Sequence, residues 1–389
     1  MKIGIDKIGF YSPHLYVDME DLAHARDEDP GKFKIGIGQD EMALAPVTQD
    51  PVTLAANAAL QCLTEEDKEA IDFVMFGTES GIDASKAGAV YVKKLLGLND
   101  AVRSIELKQA CYGATAALQL AKGHVALNSD KKVLVLASDI ARYGLNTAGE
   151  VTQGAGALAL LISKDPEVLS LNDHSAYITR DIMDFWRPTY SDVAYVDGQY
   201  SNEQYIEFFN DAWKQYKEKT NESLDDFTAL CFHLPYTRMG IKALRTILDE
   251  ASDETKERLE KHYQTSTLYS RKVGNIYTAS LYLALLSLLE QAEDLQVGDQ
   301  IGLFSYGSGA VGEFFSGKIE SIEAAQQLRD VHEKMFTSRK KVTISEYERL
   351  FEQTLPTDGS TLTLDTSDDL GRTVVTGITE HKRQYKRKS

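Results

Sequence analysis

Cysteine is scarce. The 389 residues include 3, at Cys62, Cys111 and Cys231. An odd count without a CxxC pair argues against a disulfide framework and against a zinc site. It fits a reducing cytoplasm. Long apolar runs are also missing. The stretch "LYLALLSLL" (Leu281–Leu289) falls well short of the ~20 residues a spanning helix needs, so no membrane segment is expected. The N-terminus "MKIGIDKIGFYSP" reads as strand and turn, not as the charged head and apolar core of a signal peptide. HExxH, Walker A and EF-hand patterns are absent, so metal and ATP chemistry have no support and no cofactor is expected. Positive charge is short as well: 42 Lys and Arg stand against 59 Asp and Glu, a net charge of −17. That balance argues against a generic nucleic-acid binder. An anionic substrate would need a local basic patch.

What is present is ordinary for a soluble globular chain: 43% hydrophobic and 26% charged residues. Strand-like runs alternate with helix-like ones. "IGIDKIGFY", "IDFVMFG", "RSIEL", "KKVLVLAS" and "GALALLIS" read as strands. "PVTLAANAALQCL", "SKAGAVYVKKLLGL" and "CYGATAALQLAKGHVAL" read as helices. The alternation predicts an α/β layered fold with a mixed sheet. The order then recurs: "DDFTALCFHLPY" resembles "AIDFVMFGTES", and "GNIYTASLYLALLSLLEQ" resembles "CYGATAALQLAKGHVAL". Two related halves are predicted, residues 1–165 and 166–389, with the seam near Lys164–Val168. The aromatic stretch around 181–225 stands outside this repeat. It reads as an insertion that covers a site or packs a partner. The charged run 249–263 reads as a solvated helix face, and the basic tail "HKRQYKRKS" as a frayed terminus.

Four positions converge if both halves present their strand ends and helix starts at one seam: Glu79, Cys111, His233 and Asn275. Cys111 is either a small core residue or a nucleophile. It opens a helix, where free N–H groups and the dipole favour a thiolate. Cys62 and Cys231 read as structural. His233 ends an apolar strand just before Leu234-Pro235, the usual ligand address in open α/β sheets. The other seven histidines lack that setting. Glu79 also ends a buried strand, where apolar neighbours would raise its pKa into the range of a general base or acid. Asn275 follows Gly274, where a helix cap is the plain alternative. "GSGAVG" (307–312) matches GxGxxG, but the strand-like "EFFSGKIE" after it favours a β-hairpin over a dinucleotide loop.

The pieces "KFKIGIGQD", "GTES", "QACYGATAAL", "ASDIARY", "FHLPY", "GNIYTAS" and "LFSYGSG" carry a resemblance over nearly the whole chain. It resembles the bacterial 3-hydroxy-3-methylglutaryl-CoA (HMG-CoA) synthases of the mevalonate pathway. The resemblance implies a thiolase-like fold, five αβαβα layers built from two halves, and a homodimer. It implies an acyltransferase that condenses acetyl-CoA with acetoacetyl-CoA through an acetyl-cysteine, with Glu79, Cys111 and His233 as the catalytic set. By the same resemblance, Asn275 helps hold the acetoacetyl group, and Tyr143, Thr152, Ser201 and Ser308 line the acyl pocket. Asp139, Asp184 and Tyr205 supply supporting contacts. Asp29, Pro30 and Lys32 are expected at the nucleotide end of CoA. Arg238 and Lys242, four apart on one helix face, provide the basic patch. Arg238 stands where some members have Lys, and Pro30 where some have Ala. Two alternatives stay open. One is a β-ketoacyl-ACP synthase III, whose Cys-His-Asn set needs no carboxylate base. The other is a non-catalytic scaffold on the same frame.

Overall fold

The computed structural model describes residues 1–191 and 193–388. Nine strands form one mixed sheet: β1 (Ile3–Tyr11), β2 (Ile71–Gly77), β3 (Arg103–Leu107), β4 (Lys132–Ile140), β5 (Ala155–Lys164), β6 (Leu169–Thr179), β7 (Ala229–Phe232), β8 (Gln300–Gly307) and β9 (Val311–Ile319). Their spatial order is β7-β8-β9-β6-β1-β5-β4-β2-β3. The order is mirrored about the central antiparallel pair of β1 and β6, where Gly4 faces Ser170. Outward from β1, pairing runs antiparallel to β5, antiparallel to β4, then parallel to β2 and β3. Outward from β6 it runs antiparallel to β9, antiparallel to β8, then parallel to β7. Chain-order strands 1, 5, 4 and 2 of the first half therefore have counterparts in the second. The loop between β5 and β6 holds Asp165–Val168, at the predicted seam.

Continuous apolar strands are buried on both faces. Val133, Val135 and Ala137 of β4, with Leu158, Leu160 and Ile162 of β5, join one core. The alternate residues Leu134, Leu136, Ala157, Ala159 and Leu161 join another. Helix α1 (Pro51–Cys62) covers the latter face. Its start is fixed by a capping box between Asp50 and Thr53 and by Pro51 at the first turn. The opposite face receives α3 (Gly113–Leu127), which follows α2 (Gly88–Leu96). Ala114, Ala117 and Ala121 keep α3 thin enough to sit in the middle of the molecule. A Cβ on Gly77 would lie 2.4 Å from the Ala114 nitrogen, so only glycine lets β2 meet the start of α3. In the second half, α4 (Gly198–Thr220), α5 (Asp253–Ser266) and α6 (Ser280–Gln291) complete the layers. Helices α3 and α6 meet through Thr115 Oγ1 and Tyr282 Oη, 2.8 Å apart. The fold is the five-layered α/β arrangement expected. "GSGAVG" is the β8–β9 turn, as the strand after it predicted.

Two expectations need correction. The aromatic stretch does not stand wholly outside the repeat. Its helix α4 packs on β6 and β9 as α1 packs on β1 and β5. Phe208, Phe209, Trp213 and Tyr216 are its core face, at helical spacing. Among the described residues of that stretch, the preceding hairpin, Phe185–Trp186 paired with Tyr195–Val196, is the part outside the repeat. Nor is the basic tail frayed. Lys382–Arg387 is a strand paired with Thr373–Thr379. Arg383 and Tyr385 both donate to Asp50, at 3.0 and 2.7 Å, so the carboxylate that caps α1 also anchors the tail. The charged run is α5, whose buried side carries Leu259, His262 and Tyr263. Among the described residues, no helix is long and apolar enough to cross a membrane.

Candidate active site

Parallel strands end on the same side of the sheet, and their carboxyl ends build the site. Glu79 lies two residues beyond β2, Cys111 four beyond β3, His233 directly after β7 and Ser308 directly after β8. Cys111 precedes Tyr112, the cap residue of α3. Ala110 before it has a φ of +42°, a left-handed conformation that costs a non-glycine residue energy. Tyr277 shares that feature at +46°.

The Cys111 thiol donates to Glu79 Oε1 at 3.2 Å. Beneath them lies Asp139, fully buried at the end of β4. Its Oδ1 accepts from Thr78 Oγ1 (2.8 Å) and from the Glu79 and Ser80 amides (both 2.9 Å). Its Oδ2 accepts from the Thr278 amide (3.1 Å) and hydroxyl (2.7 Å). One carboxylate thus fixes the Glu79 loop of the first half against the segment that leads into α6 in the second. Burial first, and the Asp139 charge next, push the Glu79 carboxyl up to about 8. The expectation of a raised carboxyl holds. The expectation of a helix-stabilised thiolate does not. Burial, then Glu79, Asp139 and Asp184, drive the Cys111 thiol well above its ordinary value. Burial and, after it, the nearby negative charge keep the resting group a thiol.

Asn275 and Tyr143 meet on the other flank. Asn275 Nδ2 donates to Tyr143 Oη at 3.2 Å, and Oδ1 accepts from the Tyr277 amide and Ser280 hydroxyl. Thr152 joins through its carbonyl, which accepts from the Asn275 amide at 3.0 Å. Asp184 accepts from Tyr306 Oη (2.8 Å), Ser201 Oγ (3.1 Å) and the Gly309 amide (2.8 Å). Tyr205 Oη donates to the His233 carbonyl at 2.7 Å. The His233 ring is buried, its Nδ1 finds no partner among the described residues, and burial lowers its pKa to about 3. It is therefore a neutral imidazole, free to present a nitrogen to a ligand. The β8–β9 turn joins this group to the cysteine loop, since the Ser308 carbonyl accepts from Gln109 Nε2 at 3.2 Å. A Cβ on Gly307 would strike the Gln109 carbonyl at 2.5 Å.

A nucleophilic thiol, a carboxyl tuned towards neutrality and a neutral histidine suit an acyl transfer followed by carbon–carbon bond formation. Family models decide between the possible owners of such a site. The model for the hydroxymethylglutaryl-coenzyme A synthase N-terminal domain matches residues 1–167, and that for the C-terminal domain matches 172–254 and 245–357. The chain belongs to the HMG-CoA synthase family. It is 54% identical to a hydroxymethylglutaryl-CoA synthase of Enterococcus faecalis, over 92% of this chain and 94% of that one. A crystal structure of an HMG-CoA synthase complexed with CoA superposes with a TM-score of 0.96 at 46% identity, each chain covered in full. A structure of MvaS in complex with 3-hydroxy-3-methylglutaryl coenzyme A gives 0.87 at 36%, covering all of this chain and 99% of that one.

In this HMG-CoA synthase family member basic side chains gather at a cavity whose lining does not include Cys111. A cavity of about 200 Å³ is lined by Lys34, Ile35, Thr237, Arg238, Tyr263, Gln264, Thr267 and Arg271. The Arg238 amide donates to the Ile37 carbonyl at 3.1 Å, which brings the segment after Gly31 against the helix after His233. Arg238 is on the wall, as its spacing suggested. Lys242 instead donates to Tyr236 Oη at 2.8 Å, and Lys32 pairs with Glu28 at 2.7 Å. Asp29 accepts from the Gly31 amide at 2.8 Å and shapes the turn, with Pro30 half-buried beside it. Lys34 and Arg271 were missed, because nothing in an isolated charge tells which way it faces. Tyr277 and Tyr306 were missed too. Both lie inside quoted HMG-CoA synthase segments, "GNIYTAS" and "LFSYGSG", which was the available signal.

Proposed function

We propose that the chain condenses acetyl-CoA with acetoacetyl-CoA and water to give HMG-CoA and CoA, with Cys111 as nucleophile and Glu79 as shuttle of the proton. The 3.2 Å contact between Sγ and Oε1 carries the reading. Ionised Glu79 takes the thiol proton as sulfur attacks the acetyl thioester. That proton leaves on the departing CoA thiol. Glu79 then removes a proton from the acetyl methyl group, and the enolate attacks the ketone of acetoacetyl-CoA. His233 and Asn275 polarise that ketone. Protonated Glu79 returns its proton to the new alkoxide, and water frees the product from Cys111. A pKa near 8 suits a group that must be base and acid in turn. The β-ketoacyl-ACP synthase alternative leaves Glu79 without a task, and a scaffold would leave the whole set idle.

Arg238, which makes no ion pair among the described residues, offers the cavity the charge that CoA phosphates need on an acidic protein; Arg271 beside it is already paired with Asp40 at 2.7 and 2.8 Å, and Lys34 lies 3.6 Å from Glu20. CoA thioesters suffice as reactants, so no separate cofactor enters. Three unpaired cysteines support a cytoplasmic setting. A homodimer is supported by the open edge of β3, where Ile105 is 38% exposed. Mass spectrometry after mixing with acetyl-CoA should place acetyl on Cys111. Glu79→Gln should still acetylate yet make no HMG-CoA. Full turnover in that variant would remove Glu79 from the mechanism.

A further inference from the structure

A carboxylate lies where the sheet has no need of one. Glu313 sits inside β9, between Gly312 and Phe314, and is 2% exposed. In the ladder it stands opposite Ser305 of β8 and Tyr177 of β6. Burial raises its carboxyl, and Tyr112 leads the groups that pull it back. A charge kept out of water in this way costs stability that an apolar residue of the same size would not. Both of its oxygens accept from one helix. Oε2 accepts from Tyr112 Oη at 2.6 Å and Oε1 from Gln119 Nε2 at 2.9 Å. Ser305, its neighbour across the ladder, accepts from Thr115 Oγ1 at 2.8 Å. Tyr112, Thr115 and Gln119 stand at i, i+3 and i+7, on one face of α3 and its cap.

Helix α3 therefore meets β8 and β9 through a polar stripe. Apolar contacts are non-directional, whereas hydrogen bonds hold only over a narrow range of distance and angle. The stripe fixes the rotation of α3 about its axis and its height along it. Cys111 directly precedes the cap, so either movement would shift the sulfur against Glu79. The backbone before the helix has little freedom to compensate. Ala110 is held at a φ of +42°, and the Tyr112 amide donates to the Gln109 carbonyl at 3.0 Å. Gly307 crowds Tyr112 from the β8–β9 turn, where a Cβ would stand 2.6 Å from the Tyr112 Cβ. Resting on the condensing-enzyme reading above, we propose that Glu313 is a positioning residue for acetyl transfer: through Tyr112 and Gln119 it sets α3 so that the Cys111 sulfur stays 3.2 Å from Glu79 Oε1. Its action is indirect, since these two bonds end on the helix and not on the sulfur.

The test follows acetylation of Cys111 on the full chain by rapid-quench mass spectrometry over a series of acetyl-CoA concentrations. The variants are Glu313→Ala, Glu313→Gln, Tyr112→Phe and the chain carrying both Glu313→Ala and Tyr112→Phe. The maximal acetylation rate should fall about tenfold or more in Glu313→Ala, as it does when a reacting group is misplaced from a distance. The acetyl-CoA concentration that gives half of that rate should not change. Glu313→Gln keeps one acceptor oxygen and should recover part of the rate. Tyr112→Phe should lose a similar factor, and the double variant no more than the worse single one, because both cut one linkage. A residue that only supports the fold would lower the melting point and leave the acetylation rate of the folded chain at the wild-type value, which overturns the proposal. So does an effect confined to the half-saturating concentration, or losses in the single variants that multiply in the double. Should Glu313→Ala not fold, Tyr112→Phe decides alone, and a wild-type maximal rate there overturns the proposal. A wild-type chain whose Cys111 never acetylates would instead strike the condensing-enzyme reading.

Discussion

Replacing Glu79 with Gln should stabilise the fold while abolishing turnover, and the gain should depend on pH in a defined direction. The unfolded carboxyl titrates at 4.5 and the folded one at about 8. Between those values the folded chain holds a proton that the unfolded chain has lost. The stabilising contribution of this group is therefore complete below 4.5 and disappears as pH rises through about 8. Above that, folding buries a carboxylate beside Asp139. The span corresponds to a ceiling of ~5 kcal/mol, at ~1.4 kcal/mol per pH unit. Glu79 is only half-buried and keeps its contact with Cys111, so about 2–3 kcal/mol is the working figure. With an unfolding entropy of ~2 cal/mol/K per residue, that shifts melting of this chain by roughly 2–4 °C. Thermal scans at one heating rate should find Glu79→Gln above wild type at pH 9 and close to it at pH 5. A pH-independent offset, or a less stable variant at pH 9, would refute the argument that the base is held in a destabilised state.

Three further outcomes follow from the contacts described. His233→Ala should weaken saturation by acetoacetyl-CoA while leaving Cys111 acetylation intact, and an unchanged KM for acetoacetyl-CoA would contradict that role. Gly307→Ala should cut activity more than stability, because a Cβ 2.5 Å from the Gln109 carbonyl displaces the loop that holds Cys111; acetylation rate and melting point read the two effects. Asp50→Ala should cost about 2–4 kcal/mol, from the lost cap and the two donors left unpaired. Limited proteolysis of that variant should release the C-terminal strand first.

Strands were legible because β4 and β5 are apolar on both faces and bounded by polar residues, which is a pattern local to a few residues. Cys111 was legible because the alanines after it could only serve a helix packed tightly at its start. The wrong readings share a cause. The tail looked like a solvated run because Asp50, which anchors Arg383 and Tyr385, lies more than 300 residues away. The thiolate expectation used the helix that Cys111 begins and could not count Glu79, Asp139 and Asp184, contributed by three other segments. In α4, Phe208, Phe209, Trp213 and Tyr216 belong to the stretch that reads as an insertion covering a site or packing a partner, because aromatic richness resembles a binding surface. Helical spacing of those same residues was the better guide to a core face.

Asp139 grips Thr78 on one side of the seam and Thr278 on the other. Cys111 and Glu79 come from the chain before Asp165, His233 and Asn275 from the chain after it. A polypeptide nicked between Lys164 and Leu169 would thus yield two fragments, each with half of the chemistry and an exposed central strand. Recovery of turnover on mixing would report how faithfully that single carboxylate re-indexes one fragment on the other.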